Sequence, residues 1–252
     1  MITLFICLFI SYLLLFLISV KIKDNSIVDI FWGVGFIILA IGSFILGKKE
    51  VPQFIITTLI IIWGLRLSFH IGLRKWKEKR EDLRYAKWRE EWGSGAYFYL
   101  RSFFQVYILQ MILMGIVALP IFFVNFSSES PKIDMWLIIG LSLALFGFIF
   151  ELIADYQLRE FIKIKKPGEI FMAGLYKYSR HPNYFGESTF WLGISFIGIH
   201  YSLFSIIGWG AITILLLFVS GVPLQEIRYA GRPGWEDYKR KTSVFIPWFP
   251  KK

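Results

Sequence analysis

The stretch ITLFICLFISYLLLFLISV, residues Ile2–Val20, contains no charged side chain and is long enough to cross a lipid bilayer as a helix. About 20 apolar residues in a helix span the roughly 30 Å of hydrocarbon in a membrane. The later apolar windows are Ile27–Leu46, Phe54–Ile71, Phe103–Phe126, Met135–Ile153, Glu187–Ile199 and Leu203–Val219. The window at Glu187–Ile199 is short and begins with a polar residue, which is typical of a tilted or partly re-entrant helix. The pattern predicts an all-α integral membrane protein with about seven transmembrane helices, within a range of six to eight.

The composition agrees with a membrane protein that forms one domain. The 252 residues are 56% hydrophobic and 19% aromatic, values that a soluble domain seldom reaches. No linker, repeat or low-complexity segment divides the chain, so we predict a single membrane domain over residues 1–252. The single cysteine, Cys7, lies within the first apolar window and excludes a disulfide framework or a cysteine-based metal site.

The distribution of basic residues predicts the orientation in the membrane. The net charge is +10, and Lys and Arg concentrate in Gly72–Tyr99, Arg159–Phe185 and Gly221–Lys252. Basic loops stay on the cytoplasmic side, so these segments share one face, the C-terminus is cytoplasmic, and seven spans place the N-terminus outside. The Lys48–Lys49 pair conflicts mildly with this topology. Topology explains the basic charge more simply than nucleic-acid binding does, and a basic cytoplasmic surface also attracts anionic cofactors.

The segment YSRHPNYFGE, residues 178–187, concentrates polar chemistry at the mouth of an apolar window. Proline favours the first helical turn, so we expect a helix to begin at about His181–Pro182. Arg180 and His181 then lie just outside a helix N-terminus, where backbone amides attract phosphate groups. The alternative for Arg180 is that its side chain extends to lipid headgroups.

Asn183 and Glu187 follow four residues apart and therefore share one helix face. A carboxylate at the membrane boundary is energetically costly and usually faces a polar cavity. We interpret the two residues as part of a ligand site, although Glu187 could also serve only as an ion-pair partner.

The fifth window ends in ELIADYQLRE, where Glu151, Asp155 and Arg159 form one stripe of a helix. An Asp155–Arg159 pair within the helix contributes only about 0.3–0.5 kcal/mol. This small gain does not offset the cost of placing carboxylates near a bilayer. We therefore favour the interpretation that the carboxylates form a face that binds ribose hydroxyls or amides.

The third window carries WGLRLSFH, which places Arg66, His70 and Arg74 on one helical stripe. An intramembrane arginine beside a histidine indicates a polar interior, and Arg66 or His70 could stabilise a developing enolate as a positioned cation. Asp29 is interpreted as a counter-ion of Arg66 or Arg74. The segment EDLRY, residues 81–85, fits a solvated face and a functional site equally well.

Several nucleotide and metal motifs do not occur in the sequence. There is no GxGxxG after a strand, no P-loop and no HExxH. The histidines are His70, His181 and His200, and His200 falls in the predicted outer loop, so no metal site is expected.

Seven segments together carry a resemblance to a known group: DIFWG, WGLRLSFH, EDLRY, ADYQLREF, GLYKYSRHPNYFGE, VSGVPLQE and EDYKRKTSVFIPWFP. Their order resembles a bacterial membrane group of largely unknown function that looks like a branch of the steroid 5-alpha-reductase family. The resemblance covers most of the chain and implies an enzyme that binds NADPH on the cytoplasmic side and reduces a carbon–carbon double bond next to a ketone. It implies cofactor contacts for Asp155, Asn183 and Glu187, and a cofactor-binding half at about residues 135–252.

The remaining candidates for the cofactor site lie in the same matching segments: Arg159, Arg180, His181, Tyr184, Glu226 and Tyr238. The reductases polarise the substrate ketone with a Glu and a Tyr on early helices. The first three windows here offer Tyr12 and no glutamate, so the resemblance assigns no proton donor. Arg66 and His70 are therefore the candidate catalytic residues.

Two alternatives stay open. The RHP motif and the E…Y…P tail are shared with isoprenylcysteine carboxyl methyltransferases, which use S-adenosylmethionine. A non-catalytic lipid-binding membrane protein is the other alternative. The leading prediction is an NADPH-dependent reductase in the bacterial inner membrane, with a lipophilic substrate from the bilayer, membrane lipids as partners, no nucleic acid, and an oligomeric state that the sequence does not indicate.

Overall fold

The protein is all-helical in a computed structural model that describes residues 2–93, 95–129 and 133–251. Helices account for 78% of the chain, and no strand occurs within these ranges. An isolated parallel bridge joins Ser179 and Ser243. The predicted all-α class is confirmed.

Six helical segments within the described ranges are long and apolar enough to cross a membrane: Ile2–Ile22, Ile27–Leu46, Val51–Glu78, Ala96–Val117, Met135–Ile164 and Leu203–Tyr229. This count lies within the predicted six to eight. The additional window of the sequence corresponds to the helix Pro182–Ile199, whose 18 residues begin with several polar side chains. The side of the membrane on which each terminus lies stays a prediction.

The chain divides into two compact units, Met1–Lys132 and Ile133–Lys252, and each is described by itself. The division falls near the predicted start of the cofactor-binding half. The first unit contains α1 (Ile2–Ile22), α2 (Ile27–Leu46), α3 (Val51–Glu78), α4 (Leu83–Trp92), α5 (Ala96–Arg101), α6 (Leu109–Val117) and α7 (Leu119–Asn125). A π-helical turn at Ser102–Ile108 joins α5 to α6.

In the first unit, α2 and α3 pack closely because glycine lies at their crossing. A Cβ atom on Gly64 would lie 2.7 Å from the carbonyl oxygen of Gly33, so no side chain fits there. The Ser68 hydroxyl donates to the Ile30 carbonyl at 2.8 Å, and the rings of Phe36 and Trp63 meet edge to face at 5.7 Å. Small residues allow this approach where helices pack within a membrane.

Asp29 has a different partner from the one that we expected. Its carboxylate accepts hydrogen bonds from Arg84 at 2.6 Å and from the Tyr85 hydroxyl at 2.7 Å. The interpretation as a counter-ion is therefore right in kind: Arg84 is the hydrogen-bonded arginine, and Arg74 also acts on Asp29 through its charge. The segment after α3 folds back toward α2, so Arg84, which is distant in sequence, reaches Asp29.

The EDLRY segment, left open between two interpretations, is a packed polar cluster rather than a solvated face. Tyr85 is 2% exposed. Glu81 forms a two-pronged ion pair with Arg89, with both N–O distances 2.9 Å, and accepts the Asn25 N–H at 2.8 Å. Asp82 caps α4 by accepting the Arg84 N–H at 3.0 Å. These contacts fix the connection between α3 and α4.

The second unit contains α8 (Met135–Ile164), α9 (Pro182–Ile199), α10 (Ile206–Ile214), α11 (Val222–Tyr229) and α12 (Trp235–Lys241). A turn forms at Pro167–Gly168, where the Glu169 N–H donates to the Lys166 carbonyl at 3.2 Å. Pro223 lies in the first turn of α11, after α10 and a π-helical turn have ended. The last membrane segment is thus interrupted just before Pro223, a residue that cannot continue the hydrogen bonding of a preceding helix.

Helices α8 and α9 meet along a glycine seam formed by Gly140, Gly147, Gly186 and Gly193. A Cβ atom on Gly140 would lie 2.6 Å from the Gly193 carbonyl oxygen, and one on Gly147 would lie 2.6 Å from the Gly186 carbonyl oxygen. The two backbones therefore touch without intervening side chains. The seam sets the distance between the helices that carry the polar residues of the site.

The seam predicts the effect of Gly140→Ala. The added methyl group would overlap the α9 backbone, and such overpacking costs about 1–3 kcal/mol, so the midpoint of thermal unfolding in detergent should fall. Gly210→Ala is the matched control, because Gly210 has open space around it and alanine favours a helix by up to about 1 kcal/mol. Equal unfolding midpoints for Gly140→Ala and Gly210→Ala would contradict the close backbone contact between α8 and α9.

Candidate functional site

A cleft opens beside the N-terminus of α9 in the second unit. Its volume is about 490 Å³ with open solvent included. It is lined by aromatic and neutral polar side chains and one basic side chain: Leu158, Ile170, Phe171, Tyr176, Arg180, His181, Asn183, Tyr184, Gln225, Tyr229, Trp235 and Tyr238.

The local sequence places the start of α9 against this cleft. Pro182 occupies the first helical turn and His181 precedes it, as the sequence predicted. Hydrogen bonding along the helix begins when the Phe185 N–H donates to the His181 carbonyl at 3.2 Å. The positive end of the α9 dipole therefore faces the cleft, which favours an anionic group there.

Two buried polar atoms belong to residues that line the cleft. Tyr176 is 6% exposed and His181 is 5% exposed. The Tyr176 hydroxyl and the His181 Nε2 have no hydrogen-bond partner in the described part of the chain. The Glu226 carboxylate lies 3.6 Å from His181 Nε2, which is too long for a good hydrogen bond. Buried polar groups are normally satisfied, so this pair indicates a ligand or water position.

Burial determines the protonation of both groups. It lowers the pKa of His181 to about 4; Glu226 partly opposes the shift and the Arg180 charge adds to it. The imidazole is therefore neutral near pH 7. Burial, reinforced by the Asp155 charge, raises the pKa of Tyr176 well above its usual value. The walls thus offer a neutral imidazole and a protonated hydroxyl.

Arg180 binds the C-terminal tail, which here means the segment from Lys239 to Ser243 at the end of α12. Its guanidinium binds the Glu226 carboxylate of α11 at 2.7 and 2.9 Å, and donates to the carbonyls of Lys239 and Thr242 at 2.6 and 3.0 Å. Its backbone N–H donates to the Ser243 carbonyl at 2.8 Å. The side chain is 8% exposed, so the interpretation that it extends to lipid headgroups is wrong. Arg180 fixes the tail against the start of α9.

Several predicted residues lie together. The predicted cofactor residues that line the cleft are Arg180, His181, Asn183, Tyr184 and Tyr238. The Tyr238 hydroxyl donates to the Tyr176 carbonyl at 2.6 Å, which fixes α12 against the loop before α9. Glu226 reaches the cleft through its pair with Arg180, and Asp155 acts on Tyr176 through its charge.

Other predicted residues lie outside the cleft lining. Arg159 is exposed, with its Nε 3.9 Å from Glu160 and its guanidinium 5.6 Å from the Tyr156 ring centroid. Glu187 is half-buried, one helical turn beyond Asn183. Their assignment to a cofactor stays a prediction.

The candidate catalytic residues Arg66 and His70 belong to α3 of the first unit. Arg66 is half-buried and His70 is exposed. Their catalytic role stays a prediction.

The sequence interpretation missed most of the aromatic wall. The missed lining residues are Leu158, Ile170, Phe171, Tyr176, Gln225, Tyr229 and Trp235. Gln225 and Tyr229 lie one turn apart on α11, directly after Pro223, and this spacing was the available signal. Trp235 stacks on Tyr229 with ring centroids 5.3 Å apart. This contact joins α11 to α12, and no local sequence pattern predicts it.

Comparisons with known proteins identify relatives without a known activity. A family model described as "Protein of unknown function (DUF1295)" matches residues 15–242. The uncharacterized protein C594.04c of Schizosaccharomyces pombe is 27% identical over 209 residues, and the match covers 72% of this chain. This chain spans 59% of the length of that yeast protein. No solved structure matches the chain.

The Arg180 contacts predict the effect of Arg180→Gln on the tail. Removal of one partner of a buried ion pair typically costs about 3–5 kcal/mol, so the tail should detach locally and chymotrypsin should cleave it at least about tenfold faster. Arg240→Gln is the matched control, because Arg240 is exposed and binds only Asp237 of its own helix among the described residues. Equal cleavage rates in the two variants would show that Arg180 does not hold the tail.

The neutral state of His181 predicts a pH dependence of stability. Its folded pKa of about 4 lies below the ordinary 6.5, so between these values the unfolded chain binds the proton more readily. Stability should fall as the pH drops from about 6.5 to about 4, by roughly 3 kcal/mol for this group, and level off below. Thermal unfolding midpoints of the wild type and His181→Gln across this range measure the difference. If the unfolding midpoints of the two proteins changed with pH in parallel, His181 would not be a buried neutral imidazole.

Proposed function

We propose that this chain, which belongs to the DUF1295 family of unknown function, is a membrane-embedded reductase that uses NADPH to reduce a lipophilic enone. The observation that carries the proposal is the cleft at the α9 N-terminus. There, two residues with buried polar atoms that lack protein partners in the described part of the chain, Tyr176 and His181, line an open volume. A ligand with polar groups would satisfy both atoms.

The chemistry of the lining residues fits the parts of a nucleotide. The positive end of α9 suits a phosphate group. The amide side chains of Asn183 and Gln225 both donate and accept hydrogen bonds, as ribose hydroxyls and a carboxamide require. The stacked rings of Tyr229 and Trp235 provide flat apolar surface for a base or a nicotinamide.

The neutral groups suit a site that holds a hydride donor close to an apolar substrate. NADPH held in the cleft would supply the hydride for one carbon of the enone double bond, and water would supply the proton for the other carbon. Tyr176 keeps its proton and donates a hydrogen bond, and neutral His181 accepts one at Nε2 or donates one, depending on its tautomer. Neither introduces a charge that would have to be desolvated when the substrate enters.

The substrate class follows from the membrane setting and the sequence resemblance. Six helices of the described chain are apolar enough for a bilayer, so an acceptor dissolved in lipid is available to the protein. The resemblance of Asp155, Asn183 and Glu187 to cofactor-contacting positions of the reductases supports NADPH. An enone is the acceptor that the resemblance to the reductases as a whole implies. We place the protein in the bacterial cytoplasmic membrane with its cleft on the cytoplasmic side.

One observation favours a second candidate, a methyltransferase that uses S-adenosylmethionine. Among the described residues, Arg180 is the only arginine or lysine that lines the cleft, and its guanidinium is bound to Glu226 and to the carbonyls of Lys239 and Thr242. Tyrosine and tryptophan rings attract cations through their faces, which suits a sulfonium group better than a phosphate.

Thermal unfolding of the purified full chain with NADPH, NADH or S-adenosylmethionine tests the proposal. A ligand at 100 times its dissociation constant adds about 2.7 kcal/mol to stability, so NADPH should raise the unfolding midpoint. Stabilisation by S-adenosylmethionine alone would identify the second candidate. No response to any of the three would favour a non-catalytic lipid-binding protein.

Tyr176→Phe sharpens this test because it removes only the buried hydroxyl. Loss of one hydrogen bond costs about 0.5–1.5 kcal/mol, so the NADPH dissociation constant should rise by about two- to tenfold. Tyr97→Phe is the matched control, since Tyr97 lies in the first unit and is 54% exposed. Unchanged affinity in Tyr176→Phe would exclude this hydroxyl as a cofactor contact.

A further inference from the structure

The chain after the C-terminal tail exposes apolar side chains that the proposed reductase does not use. We call this stretch, Val244–Phe249, the terminal segment. Its exposed side chains are Val244 at 38%, Ile246 at 62%, Trp248 at 70% and Phe249 at 76%. Phe245, in contrast, packs edge to face on Phe185 of α9, with ring centroids 5.9 Å apart. One side of the segment therefore packs on the protein, and the other side is apolar and uncovered by the described residues.

The terminal segment is fixed beside the start of α9. The Ser179 hydroxyl donates to the Phe245 carbonyl at 2.8 Å, and the Trp248 N–H donates to the Tyr178 carbonyl at 2.9 Å. The rings of Tyr178 and Phe249 meet edge to face at 6.0 Å. Because Tyr178 and Ser179 come just before α9, the depth of the α9 start in the membrane is also the depth of this segment.

The packing of α9 on α8 indicates that depth. The run Met135–Phe150 of α8 contains no charged side chain, and Glu151 is the first one in the helix. A hydrocarbon core of roughly 30 Å takes about 20 helical residues, so a span that starts at Met135 ends near Ala154. A Cβ atom on Gly186 would lie 2.6 Å from the Glu151 backbone nitrogen. The first turn of α9 therefore lies level with the end of the α8 span.

The two helices remain aligned toward their other ends. A Cβ atom on Gly140 would lie 2.6 Å from the Gly193 carbonyl oxygen, and the rings of Trp136 and Phe196 meet edge to face at 5.8 Å. α9 thus covers the same depth as the α8 span, and its start lies at one boundary of the hydrocarbon. The terminal segment beside that start lies at the same boundary.

The backbone of the terminal segment suits contact with lipid. Unsatisfied backbone N–H groups are costly in hydrocarbon. Pro247 and Pro250 have no N–H group. The N–H groups of Trp248 and Lys251 already donate to the carbonyls of Tyr178 and Lys241, each at 2.9 Å. Few donors in this part of the chain would therefore lose hydrogen bonds to water.

We propose that the terminal segment lies in the membrane interface, with Ile246, Trp248 and Phe249 inserted among the lipid acyl chains. Clustered exposed apolar side chains mark protein or membrane contact sites, and at this depth acyl chains are the apolar partner that surrounds the protein. Tryptophan is also enriched at the membrane–water interface. The segment directly follows the carbonyls that bind Arg180, so contact with lipid would hold the C-terminal tail at the membrane as well.

Spin labelling of the full chain in vesicles of phosphatidylcholine and phosphatidylglycerol tests this proposal. The single cysteine, Cys7, is replaced by serine, and a nitroxide is attached at Ile246→Cys. Its collisions with oxygen, which concentrates in hydrocarbon, are compared with those of a water-soluble nickel chelate. Arg240→Cys is the matched control, because the Arg240 side chain is 77% exposed and charged. The oxygen-to-nickel collision ratio should be several-fold higher at position 246 than at position 240.

The other outcomes would overturn the proposal. Equal collision ratios at positions 246 and 240 would place the terminal segment in water. Dipolar broadening between labels at position 246 that disappears on dilution with unlabelled protein would identify a second copy of the chain as the partner instead of lipid. Trp248→Cys provides a second labelling site with the same expected result, which keeps the proposal testable if Ile246→Cys does not fold.

Discussion

A buried guanidinium at the start of α9 organises the second unit. Arg180 is almost fully removed from solvent, and a charge in that position requires both a counter-charge and hydrogen-bond acceptors. The protein supplies them from two later parts of the chain, Glu226 on α11 and the carbonyls of the tail at Lys239 and Thr242. Four residues of the cleft wall, Gln225, Tyr229, Trp235 and Tyr238, lie on α11 and α12. The Arg180 contacts therefore hold part of that wall against the start of α9.

The charged group that stabilises the fold here, Arg180, differs from the groups that are available to a ligand. The guanidinium of Arg180 is bound by protein groups. Among the residues that line the cleft, the buried polar atoms without a hydrogen-bond partner in the described part of the chain belong to a neutral imidazole and a protonated phenol, His181 and Tyr176. Neutral groups are less costly to keep buried than charged ones. The site therefore combines a helix dipole, neutral hydrogen-bonding groups and aromatic surface, a set that suits a ligand with both polar and flat apolar parts.

Local patterns in the sequence predicted the helices and the start of α9, because apolar length and a proline in the first turn act within a few residues. They also located Asn183, His181 and Arg180, which lie in one short polar segment. The partners of these residues could not be predicted, since the Arg180 contacts depend on how a tail some sixty residues later folds back. The same reason explains why Arg84 was not predicted as the hydrogen-bonded partner of Asp29, since Arg84 belongs to a different segment. The buried hydroxyl of Tyr176 has no sequence signature, because burial is a property of the assembled unit.

The glycine seam between α8 and α9 has a consequence for how this family can vary. Main-chain contact at Gly140, Gly147, Gly186 and Gly193 sets the spacing of the two helices, whereas elsewhere side-chain volume would set it. Residues on the outward faces of α8 and α9 can then change size without altering that spacing. Divergence on those faces is structurally inexpensive, and relatives with little overall identity can keep the same distance between the carboxylate of Asp155 and the first turn of α9.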